Sequence, residues 1–163
     1  MAGGNPAAWR RRDPADRRSG ARLSQYLAFD YGQRRIGTAI GDRLTGAARP
    51  LATIAQHSQP DWAAIDRLIA DWRPAALIVG LPLDEDGGEQ PITEPARRFA
   101  RQLEARTRLP VHLADERYSS RAADDALRSA RASGAMNRRV RKGDRDGEAA
   151  RIILEQWMAE QPG

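Results

Sequence analysis

Tyr26-Leu-Ala-Phe-Asp30-Tyr-Gly32-Gln-Arg-Arg35-Ile-Gly37-Thr-Ala-Ile-Gly41 is where an irregular, arginine-rich sequence gives way to a patterned one. Tyr26 to Asp30 reads as a short apolar strand, Gly32 to Arg35 as a turn, and Ile36 to Gly41 as a second strand with glycines inside it. Ala47 to Ile54 follows as a third strand, which Pro50 places at an edge or a bulge. Tight turns join the three into an antiparallel meander.

The period then changes. Trp62, Ile65, Leu68, Ile69 and Trp72 fall on one helical face. Asp61 is placed to cap that helix, and Pro74 to close it. Ala76 to Gly80 is a continuous apolar run, as expected of a strand covered on both sides. Thr93 is expected to cap a second helix, with Ala96, Phe99, Ala100 and Leu103 inward. Val111 to Ala114 reads as a fifth strand. Ser119 or Ser120 is expected to cap a third helix bearing Ala123, Ala126, Leu127 and Ala130, with a mobile basic loop from Ala132 to Lys142. A last helix, about Asp144 to Met158, would bury Ala149, Ile152, Ile153 and Gln156 or Trp157. Right-handed crossovers after the meander predict an α/β fold: a five-stranded mixed sheet in the order 3-2-1-4-5, with helices on both faces.

At 163 residues the chain is expected to form one folded domain, 25–160, preceded by a disordered arginine-rich tail, 1–24. There is no cysteine, which excludes disulfides, zinc–thiolate centres and thiol catalysis. A cytoplasmic location fits that composition. Ala75 to Leu83, the longest apolar stretch, is far shorter than the ~20 residues a membrane span needs. The N-terminus lacks the apolar segment of a secretory signal.

The net charge is +5, but it is unevenly placed. Residues 1–24 carry a net +4 and residues 128–146 a net +5, so the remaining body is acidic. Arginine supplies nearly all of the positive charge, and Lys142 is the only lysine. Planar guanidinium forks suit phosphate, and basic segments around an acidic body are the electrostatic footprint of a nucleic-acid binder.

Three acids stand apart from the rest. Asp30 ends the first strand, Glu116 ends the run Val111-His-Leu-Ala-Asp-Glu116, and Asp146 opens the last amphipathic stretch. The crossover topology brings Asp30 and Glu116 to one rim with Gly80 between them, where α/β sheets bind ligands. Carboxylates at strand ends and a helix start are a place to gather divalent cations for chemistry on phosphate. Each also has a plainer reading: Asp30 as a turn residue, Glu116 as part of an ion pair, Asp146 or Asp144 as a helix cap. Asp84-Glu85-Asp86 reads as a solvated turn. His57, His112, Trp62, Trp72 and Trp157 read as structural.

The blocks Asp30 to Ala39, Val79 to Gly87, Asp115 to Ser120 and Asp146 to Leu154, in this order and spacing, resemble the YqgF/RuvX family. That resemblance implies a ribonuclease H-like fold related to the Holliday-junction resolvases, and nuclease activity maturing the 5′ end of the small-subunit ribosomal RNA precursor. By position it assigns the family's acids to Asp30, Glu116 and Asp146, as catalytic residues and as ligands for a pair of Mg2+ or Mn2+ ions. Asp144 and Asp115 are the alternatives for the last two. Arg35, Arg117, Arg138, Arg139, Arg141 and Lys142 are the candidate nucleic-acid contacts. The expected partner is RNA, possibly branched DNA, with no membrane contact, and the expected state a monomer or weak homodimer. A DNA-junction resolvase and a weakly catalytic RNA-binding assembly or transcription factor are the competing readings. An actin-like ATPase, which shares the Asp-x-Gly turn, would need a second domain for which the chain has no room.

Overall fold

The structure, a computed structural model, describes residues 22–83, 86–115 and 142–161. Its elements are β1 (Arg22–Tyr31), β2 (Arg35–Asp42), β3 (Ala47–Pro50), β4 (Ile54–Ala55), α1 (Trp62–Trp72), β5 (Pro74–Leu81), α2 (Thr93–Thr107), β6 (Val111–Asp115) and α3 (Lys142–Glu160). The sheet runs β3-β2-β1-β5-β6, with β4 also pairing β2. β1, β2 and β3 are antiparallel, whereas β5 and β6 run parallel to β1.

The predicted strand order holds, but among the described residues the sheet has six strands where five were expected. The stretch expected as one strand, Ala47 to Ile54, is two short ones. The chain lifts off β2 after Pro50, where Thr38 donates its hydroxyl to the Ala52 carbonyl, and returns at Ile54 to pair with Ile36. Pro50 has no N–H to continue a ladder. β1 also begins earlier than expected: Arg22 pairs with Pro74, so residues 22–24 of the predicted tail belong to the sheet. Residues 1–21 lie outside the described residues.

Alternation along β1 and β2 sorts side chains to two faces. On one, Leu27, Phe29, Ile36, Ile40, Leu77 and Val79 meet Ile65 of α1 and Phe99 and Leu103 of α2. Phe99 sits edge-on to Phe29 at 5.6 Å between centroids and stacks with Trp62 at 5.7 Å. Burying each such ring stabilises the fold by about 1.5–3 kcal/mol. α1 begins as predicted, the Asp61 carboxylate accepting the Ala64 N–H at 3.1 Å. It stops at Arg73, which takes the left-handed conformation just before Pro74. Thr93 does not cap α2. It lies within the first turn, fully buried, and its hydroxyl accepts the Gln90 N–H and donates to the Pro82 carbonyl.

On the other face Tyr26, Ala28, Ala76, Ile78 and Ala114 meet Ile153, Leu154 and Met158 of α3. β2 presents Gly37, Ala39 and Gly41 to this helix, and the missing side chains let it approach closely. A Cβ on Gly41 would lie 2.7 Å from Leu154 Cδ2 and 2.9 Å from Met158 Cε. α3 begins at Lys142, so that residue is helical and not part of a loop. Ala149, Ile152 and Ile153 are buried as expected, joined by Ala150, Leu154 and Met158, and of the two alternatives Gln156 and Trp157 it is Gln156 that is exposed. Trp157 is partly buried against Tyr26, edge-on at 5.2 Å. The third predicted helix, from Ser119 or Ser120, lies outside the described residues.

Candidate metal centre and nucleic-acid interface

Asp30 is the last β1 residue on the α3 side of the sheet. It pairs with Gly37 of β2 and Gly80 of β5, and Gly80 pairs with Ala114 of β6. Among the described residues, the strand positions beside the half-buried Asp30 in that row thus carry nothing larger than a methyl group.

Asp146 arrives from above. A Cβ on Gly37 would lie 2.1 Å from the Asp146 carbonyl oxygen, 2.5 Å from its carbonyl carbon and 3.0 Å from its Cβ. Only glycine permits this contact of helix backbone on strand backbone. Directly opposed residues on paired strands have β-carbons about 4.5–5.5 Å apart. The Cβ atoms of Asp30 and Asp146 are thus within about 8.5 Å of each other. The helix is pinned on its other flank as well, since a Cβ on Gly147 would lie 3.0 Å from Pro50 Cβ.

The contact repeats along the element pair. From Gly37 to Gly41 a strand advances about 13 Å. From Asp146 to Leu154 a helix advances about 12 Å. The two glycines therefore receive the same helical row, Asp146-Ala150-Leu154-Met158, at matching intervals. Asp144, the alternative ligand, stands two residues earlier, about 200° round the helix axis from Asp146. Asp146 is the fifth residue of α3 and not in its first turn as expected, so the helix dipole contributes little there.

Its electrostatic partner is a side chain. Arg35 Nε donates to Asp146 Oδ2 at 2.7 Å, with side-chain exposures of 38% and 21%. Arg35 opens β2 two residues before Gly37, on the same face, so one strand supplies both the space for Asp146 and its counter-charge. At this exposure the pair stabilises the fold by about 1 kcal/mol or less.

The turn between β1 and β2 is fixed from outside by Gln56. This buried side chain donates from Nε2 to the Gly32 carbonyl, and its own N–H donates to the Arg34 carbonyl at 2.9 Å. A Cβ on Gly32 would lie 2.6 Å from the Arg35 carbonyl oxygen. Sequence reasoning missed Gln56, and nothing in its local pattern announces the role. The spacing Gly37-x-Ala39-x-Gly41 was the available sign of a closely packed helix.

Of the predicted site residues, the structure brings Asp30, Asp146 and Arg35 to one rim. Glu116 follows directly on the last residue of β6 and, with Arg117, Arg138, Arg139 and Arg141, lies outside the described residues. Lys142 is the first residue of α3. Among the described residues, no group of three or more His, Asp or Glu side chains gathers closely enough to hold a metal ion. The donor set nonetheless fits a hard divalent cation: two half-buried carboxylates from separate elements, one seated in a cradle that a Cβ would fill. Mg2+ takes oxygen ligands and keeps several of its waters, so few protein carboxylates are needed. Asp86, in the acidic loop, accepts the Gly88 N–H at 3.1 Å, a turn contact as expected. No helix among the described residues is long and apolar enough to cross a membrane.

The family model described as RuvX, Holliday junction resolvase, matches residues 24–160. A protein of Azotobacter vinelandii named "Putative pre-16S rRNA nuclease" is 44% identical over 146 residues, covering 88% of this chain and 98% of that protein. A Legionella pneumophila protein of the same name is 49% identical over 134 residues, covering 82% and 94%. Among solved structures, Thermus thermophilus RuvC in complex with a Holliday junction substrate superposes with a TM-score of 0.51 at 14% identity, covering 82% of this chain and 93% of that one. At that identity the likeness concerns the fold, which is ribonuclease H-like.

Proposed function

The chain belongs to the RuvX family, and from that membership and the geometry of the rim we propose that it is a metal-dependent endonuclease. It hydrolyses phosphodiester bonds in structured RNA, acting at the 5′ end of the 16S ribosomal RNA precursor in the cytoplasm. The observation that carries the proposal is the seating of Asp146 over Gly37, the strand partner of Asp30. Carboxylates brought to one rim from a strand end and a helix are the oxygen ligands a hard divalent cation takes. The names of the relatives support the substrate.

In this reading Asp30, Glu116 and Asp146 hold Mg2+ or Mn2+. Bound there, the ions would supply an activated water and relieve negative charge on the phosphate. The chain's own part is to orient and bind. Asp30, on the central strand, is the rigid ligand. Asp146 is held by α3 and aligned by Arg35. Arg117, Arg138, Arg139, Arg141 and Lys142 grip phosphates around the strand being cut, and the arginines of residues 1–24 add a longer-range attraction.

The test is cleavage of an RNA spanning the 5′ end of the 16S precursor, with Mg2+ or Mn2+, by wild type and Asp30→Asn. Metal-dependent cleavage by wild type alone supports the assignment; equal cleavage by both proteins removes these carboxylates from the chemistry. A four-way DNA junction belongs in the same assay, because the family model carries a resolvase description. Preferential cutting of the junction would reassign the substrate and leave the site unchanged.

A further inference from the structure

Resting on the cation site just proposed, we infer that Arg35 is a resident counter-cation of Asp146, which an arriving divalent ion must displace. It thereby sets how tightly the free protein holds that ion.

The two partners differ in their freedom to move. Asp146 is fixed at its backbone, its carbonyl group lying against Gly37 and the following Gly147 against Pro50. Its carboxylate can only turn in place. Arg35 is anchored at the start of β2, but its side chain is long and 38% exposed. When a cation claims the carboxylate, the guanidinium is the partner that leaves. Its contact is through Nε, at 2.7 Å from Oδ2. A positive charge at that distance from a ligand oxygen repels an incoming dication, and partial burial of the oxygen weakens solvent screening. The guanidinium also occupies a lone-pair position on a carboxylate that has only about four such sites. Once displaced, all five N–H donors of Arg35 are available to a phosphate, the anion its planar fork fits best.

Arg35 is thus a positioning residue. It aligns the carboxylate in the free protein, and the alignment costs metal affinity. The ion pair alone would equally serve a structural role, so the test reads metal binding and not activity.

Mn2+ affinity of the full chain is measured by the EPR signal of free Mn2+, for wild type, Arg35→Gln, Arg35→Lys, Asp146→Asn and Arg35→Gln/Asp146→Asn. Arg35→Met serves as a second neutral variant should Arg35→Gln fail to fold. The neutral variants are expected to bind Mn2+ about three- to tenfold tighter than wild type. Arg35→Lys, which keeps the charge, stays within about twofold. In the Asp146→Asn background the substitution at Arg35 has no further effect, because the competition passes through that carboxylate. Unchanged or weaker binding by the neutral variants, or a gain that persists without Asp146, overturns the inference while leaving the cation site standing. Absence of saturable Mn2+ binding in both wild type and Arg35→Gln overturns the cation site itself.

Discussion

Gly37 and Asp146 touch backbone to backbone: a methyl group on the glycine would sit 2.1 Å from the aspartate's carbonyl oxygen. No rotamer relieves a clash between two main chains. Either α3 lifts from the sheet or β2 bends, and both move the Asp146 carboxylate relative to Asp30.

Gly37→Ala is accordingly expected to destabilise the fold at or beyond the upper end of the ~1–3 kcal/mol typical of overpacking, and to abolish cleavage even where folded protein is recovered. Gly46→Ala is the control. Gly46 has φ +73 but open space around it, so its loss costs only about 1 kcal/mol of conformational strain and leaves activity intact. Urea denaturation of both variants, with cleavage measured in parallel, checks the contrast. Equal destabilisation would mean that the contact at Gly37 is slack.

Asp30→Asn and Asp146→Asn should each reduce cleavage by at least a hundredfold while RNA affinity, measured by filter binding, changes less than about twofold. Removing a group that acts only in the reaction lowers rate and not binding. Parallel loss of both would make these carboxylates props of the fold.

Gln56→Ala removes a buried amide and leaves the Gly32 carbonyl without that donor. The expected cost is about 1–3 kcal/mol. The turn it braces leads into Arg35, so Mn2+ affinity should shift as well. Thermal denaturation and Mn2+ titration read the two effects separately, and an unchanged melting temperature would contradict the bracing role.

His112 lies with its ring 5.1 Å from Trp157, between centroids, on the far end of α3. Burial against the indole lowers its pKa below the usual value of 6.5, outweighing the pull of Glu104 in the other direction. The unfolded chain therefore binds the proton more readily than the folded one. This contribution to stability is fully present above pH 6.5 and is lost as the pH falls from there through the lower folded value. The residue as a whole is exposed, so the effect is small. It should appear as a drop in urea midpoint between pH 7.5 and pH 5 that His112→Asn reduces; an identical pH slope in both proteins would exclude it.

The strand order and the two faces of the sheet were legible because period-two and period-3.6 patterns are local, and because crossover handedness leaves few topologies. Asp30 was legible for the same reason, as the end of an apolar run. The break between β3 and β4 was not, since Thr38 pulls on the Ala52 carbonyl from a strand already folded. Thr93 carried the side chain of a cap, yet its hydroxyl accepts from Gln90, three residues before it, and donates to the more distant Pro82 carbonyl. The Arg35–Asp146 pair spans 111 positions, and no spacing rule reaches that far. The sequence nominated both residues, one for phosphate and one for metal. Only the fold reveals that they hold each other.

Because Asp146 and the apolar anchors Leu154 and Met158 belong to one rigid rod, the acid's placement is calibrated by grease about two turns away. A register slip of α3 along its glycine track would displace the acid by whole helical steps, with no graded error between. The site should therefore fail abruptly. Substitutions that soften the Gly41 end, about 13 Å along the strand from Gly37, would abolish turnover well before they unfold the protein.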